Sequence, residues 1–234
     1  MEVDFGEILE PVSRAFWDDY DDLADNEEFK LPEWNAEEKD VICPEDVTSC
    51  IVIEGYKVEE LMKLLLLKDA NPIARLKSGS VSLYHLQHLG CLICLSEEKN
   101  LNYYGSITEL LKPFIEKTPQ VTCISIQPIS MHRGERGSKE DDPDSAAFVR
   151  GINSVFPEIQ SLKEPNLITG VAAGVASWRK FHDLPAPCYV LYIEALRLDS
   201  QTIAPLVRIL EKLGLQCNEN SSINIKTSES NLYM

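Results

Sequence analysis

The sequence predicts an α/β domain, with a mainly parallel or mixed sheet covered by helices on both faces. Three observations predict it. Short apolar runs rich in β-branched residues recur along the chain, stretches with helical spacing separate them, and Gly or Pro punctuates the junctions. Strands that alternate with helices cannot all pair through tight turns, so crossovers and buried parallel strands follow. With 234 residues and 44% hydrophobic content, the chain can bury one sizeable core and still carry appendages. It contains no internal repeat.

The elements read as follows. Ser49-Cys-Ile-Val-Ile-Glu54 is a short strand stopped by Gly55, and Val58, Leu61, Met62, Leu65 and Leu66 then recur at helical spacing. Residues 81–86 alternate as a strand does, and Cys91-Leu-Ile-Cys-Leu95 has the composition of a buried one. Gly105 precedes a helix carrying Ile107, Leu110, Leu111, Phe114 and Ile115, in which Pro113 predicts a kink or an early stop near Lys112. Residues 121–126 form the next strand, ended by Pro128. Residues 131–145 hold almost nothing that could be buried and read as an exposed loop. A helix is expected over 146–155 and another over 168–181, where Gly170, Ala173, Gly174 and Ser177 make a small-residue stripe. Pro187-Cys-Tyr-Val-Leu-Tyr-Ile193 is the clearest strand, and Ser200 caps a helix that runs to Leu213 and stops at Gly214.

Charge divides the chain. There are 38 acids against 22 Lys and Arg, a net charge of −16, and residues 1–46 carry −14 of it with 17 acids and 3 bases. Residues 1–46 are therefore expected to be an acidic, partly disordered arm, 47–217 the α/β domain, and 218–234 a flexible polar tail. Such a balance argues against nucleic acid and anionic membranes as partners. No stretch is long and apolar enough to insert in a bilayer, and the first residues lack the pattern of a signal peptide. Seven cysteines without framework spacing fit a reducing compartment, the cytoplasm or the nucleus.

The chemistry-bearing residues point away from catalysis. His85, His88, Cys91 and Cys94 are spaced by three, a tempting zinc set, but on a strand Cys91 and Cys94 face opposite ways and cannot share an ion. No metal site, cofactor site or catalytic group is assigned. The cysteines lack a local nucleophile signature, and the paired carboxylates fall in the arm or the exposed loop. Neither a phosphate-binding glycine loop nor a nucleophile elbow is present. The last three residues differ in kind. Leu232-Tyr233-Met234 offers an apolar side chain, a ring with a hydroxyl and a terminal carboxylate, at the end of a polar stretch long enough to reach a partner's pocket. Packing of Leu232 and Tyr233 on the chain's own body is the alternative.

Glu164-Pro-Asn-Leu-Ile-Thr-Gly-Val-Ala-Ala-Gly-Val-Ala-Ser-Trp178 followed by Pro185-Ala-Pro-Cys-Tyr-Val-Leu-Tyr192 resembles the proteasome assembly chaperone 1 family, as does the ending Ser230-Asn231-Leu232-Tyr233-Met234. The likeness spans about 47–234 and is strongest at 164–192 and 230–234. It implies a non-enzymatic chaperone of α/β fold, related in topology to nucleoside-phosphorylase-like domains. Such a protein forms a heterodimer with proteasome assembly chaperone 2 and binds the 20S α-subunit ring. It promotes ring assembly and prevents premature α-ring dimerisation. By the same resemblance Leu232, Tyr233 and Met234 bind between α subunits: Leu232 fills an apolar pocket, Tyr233 fixes the tail, and the Met234 carboxylate meets a lysine. The stripe at Gly170 and Gly174 is a candidate dimer surface, with core packing as the competing role. Fold analogy alone supports a different reading, a nucleoside-phosphorylase-like enzyme or small-molecule binder.

Overall fold

The structure, a computed structural model, describes residues 30–35, 43–68, 70–133, 146–194, 197–218 and 224–226. The chain divides into two compact units at Leu31/Pro32, and the α/β fold belongs to the second. Most of the acidic arm, residues 134–145 of the expected loop and the last eight residues lie outside the described residues.

Nine strands and four helices appear among those residues: β1 (Ser49–Glu54), α1 (Val58–Leu65), β2 (Ala74–Arg75), β3 (Val81–Leu86), β4 (Cys91–Ser96), α2 (Tyr104–Lys117), β5 (Gln120–Pro128), β6 (Ala147–Ile152), α3 (Val171–Phe181), β7 (Cys188–Ile193), β8 (Arg197–Asp199), α4 (Ser200–Lys212) and β9 (Asn224–Lys226). Seven strands form one sheet in the order β2-β3-β4-β1-β5-β7-β6. The inner four are parallel, while β3 and β6 join antiparallel, so the predicted mixed α/β architecture is borne out.

Each face of the sheet has its own apolar layer. Ile51 and Ile53 of β1 meet α1 and α4 with Tyr189, Leu191 and Ile193 of β7. Cys50 and Val52 point the other way, onto α2 and α3, with Cys94, Cys123 and Cys188. This period-two division explains why the central strands read as continuous hydrophobic runs: both sides are covered. In α1 the buried residues are Val58, Leu61, Met62 and Leu65, one stripe at helical spacing. Four such burials contribute roughly 1.5–3 kcal/mol each.

Several expectations need correction: Gly105 lies inside its helix and does not precede it, and Asp199, not Ser200, caps the helix that follows β8. Residues 146–155 are not a helix. Ala147–Ile152 form edge strand β6, because Phe148, Val149 and Ile152 favour an extended chain and the pairing partner β7 lies 36 to 46 positions further on, beyond any local signal. Pro113 neither stops nor shortens α2, which continues to Lys117. Pro113 and Glu109 both lie on the exposed side, where water can satisfy the carbonyl that loses its N–H partner. Gly170 precedes α3 instead of lying inside it, with a left-handed φ of 97°.

The expected arm and tail both contribute packed pieces. The Trp34 backbone bridges to Leu76, Asn35 N–H donates to the Arg75 carbonyl at 2.8 Å, and the indole packs against the α2/α3 layer. This segment lines the outer side of β2, at the sheet's edge. At the other end, Ile225 of β9 pairs with Leu198 of β8, and both side chains are buried.

Candidate functional site

In open α/β sheets, ligands bind outside the carboxyl ends of the strands, where the connections diverge. Here β1 leads towards β4 and β5 towards β7, which places that crevice between the ends of β1 and β5. Glu54 stands there, aligned with Ser96 on one side and Ser125 on the other, and all three are buried. Its carboxylate accepts the Val171 N–H at 3.1 Å on one oxygen and the Ala172 N–H at 3.0 Å on the other. Those are the first amides of α3, the place where such folds take an anion. Gly170 makes the approach possible: a Cβ on it would lie 2.1 Å from Oε1. The chain thus fills the crevice with its own carboxylate. Burial pushes the Glu54 carboxyl up to about 7, against the two N–H bonds, which favour the ion.

The other chemistry-bearing groups are spread apart. Cys91 lies on the α1/α4 side of β4 and Cys94 on the α2/α3 side, so the four residues at spacing three do not converge. Among the described residues no cluster of three or more His, Cys, Asp or Glu could hold a metal ion. Burial raises the buried thiols, Cys94 and Cys188 to about 12, with the nearby Glu54 charge adding to it, so these side chains pack as small apolar residues. A groove of about 420 Å³ runs between β6 and α4, with Val149, Ile159, Pro205 and Arg208 along it, and Lys212 there is paired with Glu158. It brings together no nucleophile and base.

The two glycines of the small-residue stripe pack inside the fold, while Ala173 is half-buried and Ser177 exposed. Gly174 faces Thr108 of α2, whose Oγ1 would be 2.3 Å from an added Cβ, so the glycine lets α2 and α3 pack closely. Further along α3, Arg179 is fully buried and donates to the carbonyls of Ile115 and Thr118 at the end of α2, and to those of Pro119 and Pro185. Burial lowers its pKa.

A buried aromatic cluster lies at the carboxyl end of the sheet. Phe148 and Tyr192 stack at 5.1 Å, His132 meets both edge-on, and Ile129, Leu162 and Ile168 pack around them. Asn166 stitches the covering segments together, accepting the Arg133 N–H at 2.7 Å and donating to its carbonyl at 2.9 Å. Next to this stitch Met131 and Leu167 stand 62% and 80% exposed.

The predicted partner-binding residues Leu232, Tyr233 and Met234 lie outside the described residues, six to eight positions beyond β9. Glu54, the group that closes the crevice, was not singled out from the sequence. Its partner amides are 117 and 118 residues away, and the only local hint is an acid at the end of an apolar strand.

No protein-family model matches the chain, and no curated protein matches it by sequence. Solved structures do. PbaA of Pyrococcus furiosus, an archaeal homolog of proteasome-assembly chaperone, aligns over 76% of this chain and 87% of its own at a TM-score of 0.50 and 17% identity. PbaB of the same organism, an archaeal proteasome activator, aligns over 81% and 91% at 0.54 and 11%. A protein of unknown function from Thermoplasma acidophilum aligns over 75% and 80% at 0.53 and 10%. The fold resembles that of PbaA and PbaB. At these identities the likeness concerns the fold alone. No helix among the described residues is long and apolar enough to cross a membrane.

Proposed function

We propose that this chain is a chaperone of 20S proteasome assembly, a binding protein and not an enzyme. The observation that carries the reading is the fold shared with PbaA over most of both chains, reached independently of the residue likeness at 164–192 and 230–234. A crevice filled by Glu54 and thiols raised by burial agree with a body built for contact.

In this proposal the domain pairs with proteasome assembly chaperone 2 and sits on the α-subunit ring in the cytoplasm or the nucleus. It promotes ring assembly and holds back premature α-ring dimerisation. Leu232, Tyr233 and the Met234 carboxylate insert between α subunits. A short tail of modest affinity gains from being tethered to a docked domain, because its second contact is intramolecular.

The test is a pull-down from native lysate with a tag on the N-terminus, read by mass spectrometry. Co-recovery of a second α/β chaperone with α subunits, without mature proteolytic particles, is expected. Removing Leu232, Tyr233 and Met234 should weaken ring binding about tenfold or more while sparing the partner dimer. Recovery of neither partner by a well-folded chain would overturn the proposal. Unchanged ring affinity in the truncated chain would overturn the role of the tail.

A further inference from the structure

We infer that the groove between β6 and α4 is a binding site for this chain's own C-terminal tail, with Leu232 and Tyr233 seated in it before any partner is met. The proposal holds for the chain alone and does not rest on the chaperone reading. The groove has the size and lining that suit a short apolar segment. It measures about 420 Å³, and Val149, Ile159 and Pro205 along it are only half-buried, so part of their apolar surface faces solvent.

Its walls also carry backbone groups that an extended chain can use. β6 is the outermost strand of the sheet, so one of its sides has no neighbouring strand. At Gly151 that side is covered: the N–H donates to the Gln160 carbonyl at 2.9 Å, and the carbonyl accepts from the Leu162 N–H at 2.8 Å. Val149 faces the same way two residues earlier. Its carbonyl accepts from the Arg150 guanidinium at 2.9 Å, while its N–H has no partner among the described residues. Across the groove, Pro205 brings no N–H to the Gln201 carbonyl one turn before it, and both residues line the groove. A donor on the strand and an acceptor on the helix suit a peptide that adds along the sheet edge.

Charge and reach single out the occupant. Lys212 is paired with Glu158, whereas Arg208 is exposed and forms no ion pair among the described residues. A lone guanidinium suits an aromatic ring or an acid. The same surface already sets Lys212 over the Phe156 ring at 5.2 Å. Residues 227–234, which follow β9, bring one ring, Tyr233, one acidic side chain, Glu229, and no base. They also start in the right place. Lys226 pairs with Arg197, three residues before α4, and Gln201 opens the groove in the first turn of that helix. Eight extended residues span up to about 26 Å, while Gln201 and Arg208 are about 10 Å apart along the helix axis. So short a tether holds the tail at high effective concentration, which favours it over a peptide from another molecule.

NMR on the full chain, purified without any partner, tests this. Ring protons of Tyr233 should show nuclear Overhauser contacts with the methyl groups of Val149 or Ile159. The Val149 amide should exchange about tenfold more slowly than in a chain carrying Leu232→Ser and Tyr233→Ser, both of which lie beyond β9. In Arg208→Glu the ring contacts should weaken about fivefold, and contacts of full strength there would overturn the part given to Arg208. Tyr233 contacts that fall elsewhere on the body, or equal Val149 exchange with and without the two tail substitutions, overturn the proposal. So do contacts that pass between chains in a mixture of labelled and unlabelled protein, since a second copy's tail would then fill the groove. The ring contacts need no variant, so a substituted chain that failed to fold would leave the decision to them. No α subunit enters these measurements, so their failure and that of the chaperone reading are told apart.

Discussion

Two helices in this domain begin on a carboxylate that accepts two backbone N–H groups, and the two sites behave differently. At α4, Asp199 accepts from Gln201 and Thr202 at 3.0 and 2.9 Å, and the Thr202 hydroxyl returns a bond from the Asp199 N–H. At α3, Glu54 accepts from Val171 and Ala172 at nearly the same distances, but it is supplied by a strand 117 residues earlier. The Asp199 cap is local and half-buried, so its charge keeps part of its water. The Glu54 cap is buried and pays desolvation for the same two bonds, which is why its carboxyl is pushed up to about 7. Equal hydrogen bonds do not mean equal contributions. The environment of the charge decides.

Glu59 adds the third case. Burial would raise its carboxyl too, but Lys63, the Tyr84 hydroxyl at 2.8 Å and Arg75 outweigh it and hold the pKa below the ordinary value of 4.5. The two glutamates therefore pull stability in opposite directions with pH. The folded chain prefers Glu54 protonated, so that contribution is complete below pH 4.5 and declines by about 3 kcal/mol as pH rises to 7. Glu59 stabilises above pH 4.5, and its share is lost as pH falls through its lowered value.

The largest expected effect concerns a buried ion with a full set of partners. Arg179→Met removes the donor to four carbonyls, three of them at the end of α2 or just beyond it, and leaves them facing an apolar side chain. A loss of about 4 kcal/mol is expected in urea unfolding. A loss under 1 kcal/mol would mean that partner count does not separate Arg179 from Glu54.

Next comes Gly170→Ala. The left-handed φ and the 2.1 Å approach to Oε1 together should cost about 3 kcal/mol. The clash involves Glu54 itself, so Gly170→Ala combined with Glu54→Ala should cost less than the two single changes added together. Strict additivity would show that the glycine serves only the backbone turn.

Glu59→Gln should cost about 1–2 kcal/mol at pH 7, since Arg75 and Lys63 lose their shared anion at a partly exposed site. The same variant should flatten the acid limb of the stability curve below pH 4.5 and leave the neutral limb unchanged. Thermal unfolding in a pH series reads both at once.

The same contrast explains what was legible in the sequence. The helix at 200 could be seen because its cap, its apolar spacing and its stop at Gly214 are local, although the cap is Asp199 and not the Ser200 that was expected. The central strands could be seen because both their faces are buried. Strand β6 could not, since Ala147 to Ile152 become a strand only by pairing with β7. Nor could Glu54, whose environment is assembled from β1, α2 and α3. The small-residue stripe was visible, but spacing alone could not tell a partner's surface from the Thr108 of a neighbouring helix.

The smallest effect is the sharpest control on the difference between the Asp199 and Glu54 caps. Asp199→Ala removes a cap that water can partly replace, so it should cost about 1 kcal/mol, with the urea dependence unchanged. Glu54→Ala also removes two N–H acceptors, but it relieves a buried charge as well. At pH 8 its net cost should fall below that of a buried unsatisfied pair, and at pH 5 it should rise, because the protonated side chain then stabilises without a penalty. Asp199→Ala should change far less between those two pH values, because its carboxylate stays partly in water. If both variants shifted with pH by the same amount, burial would not be what separates the two caps, and a shared property of helix N-termini would have to account for both.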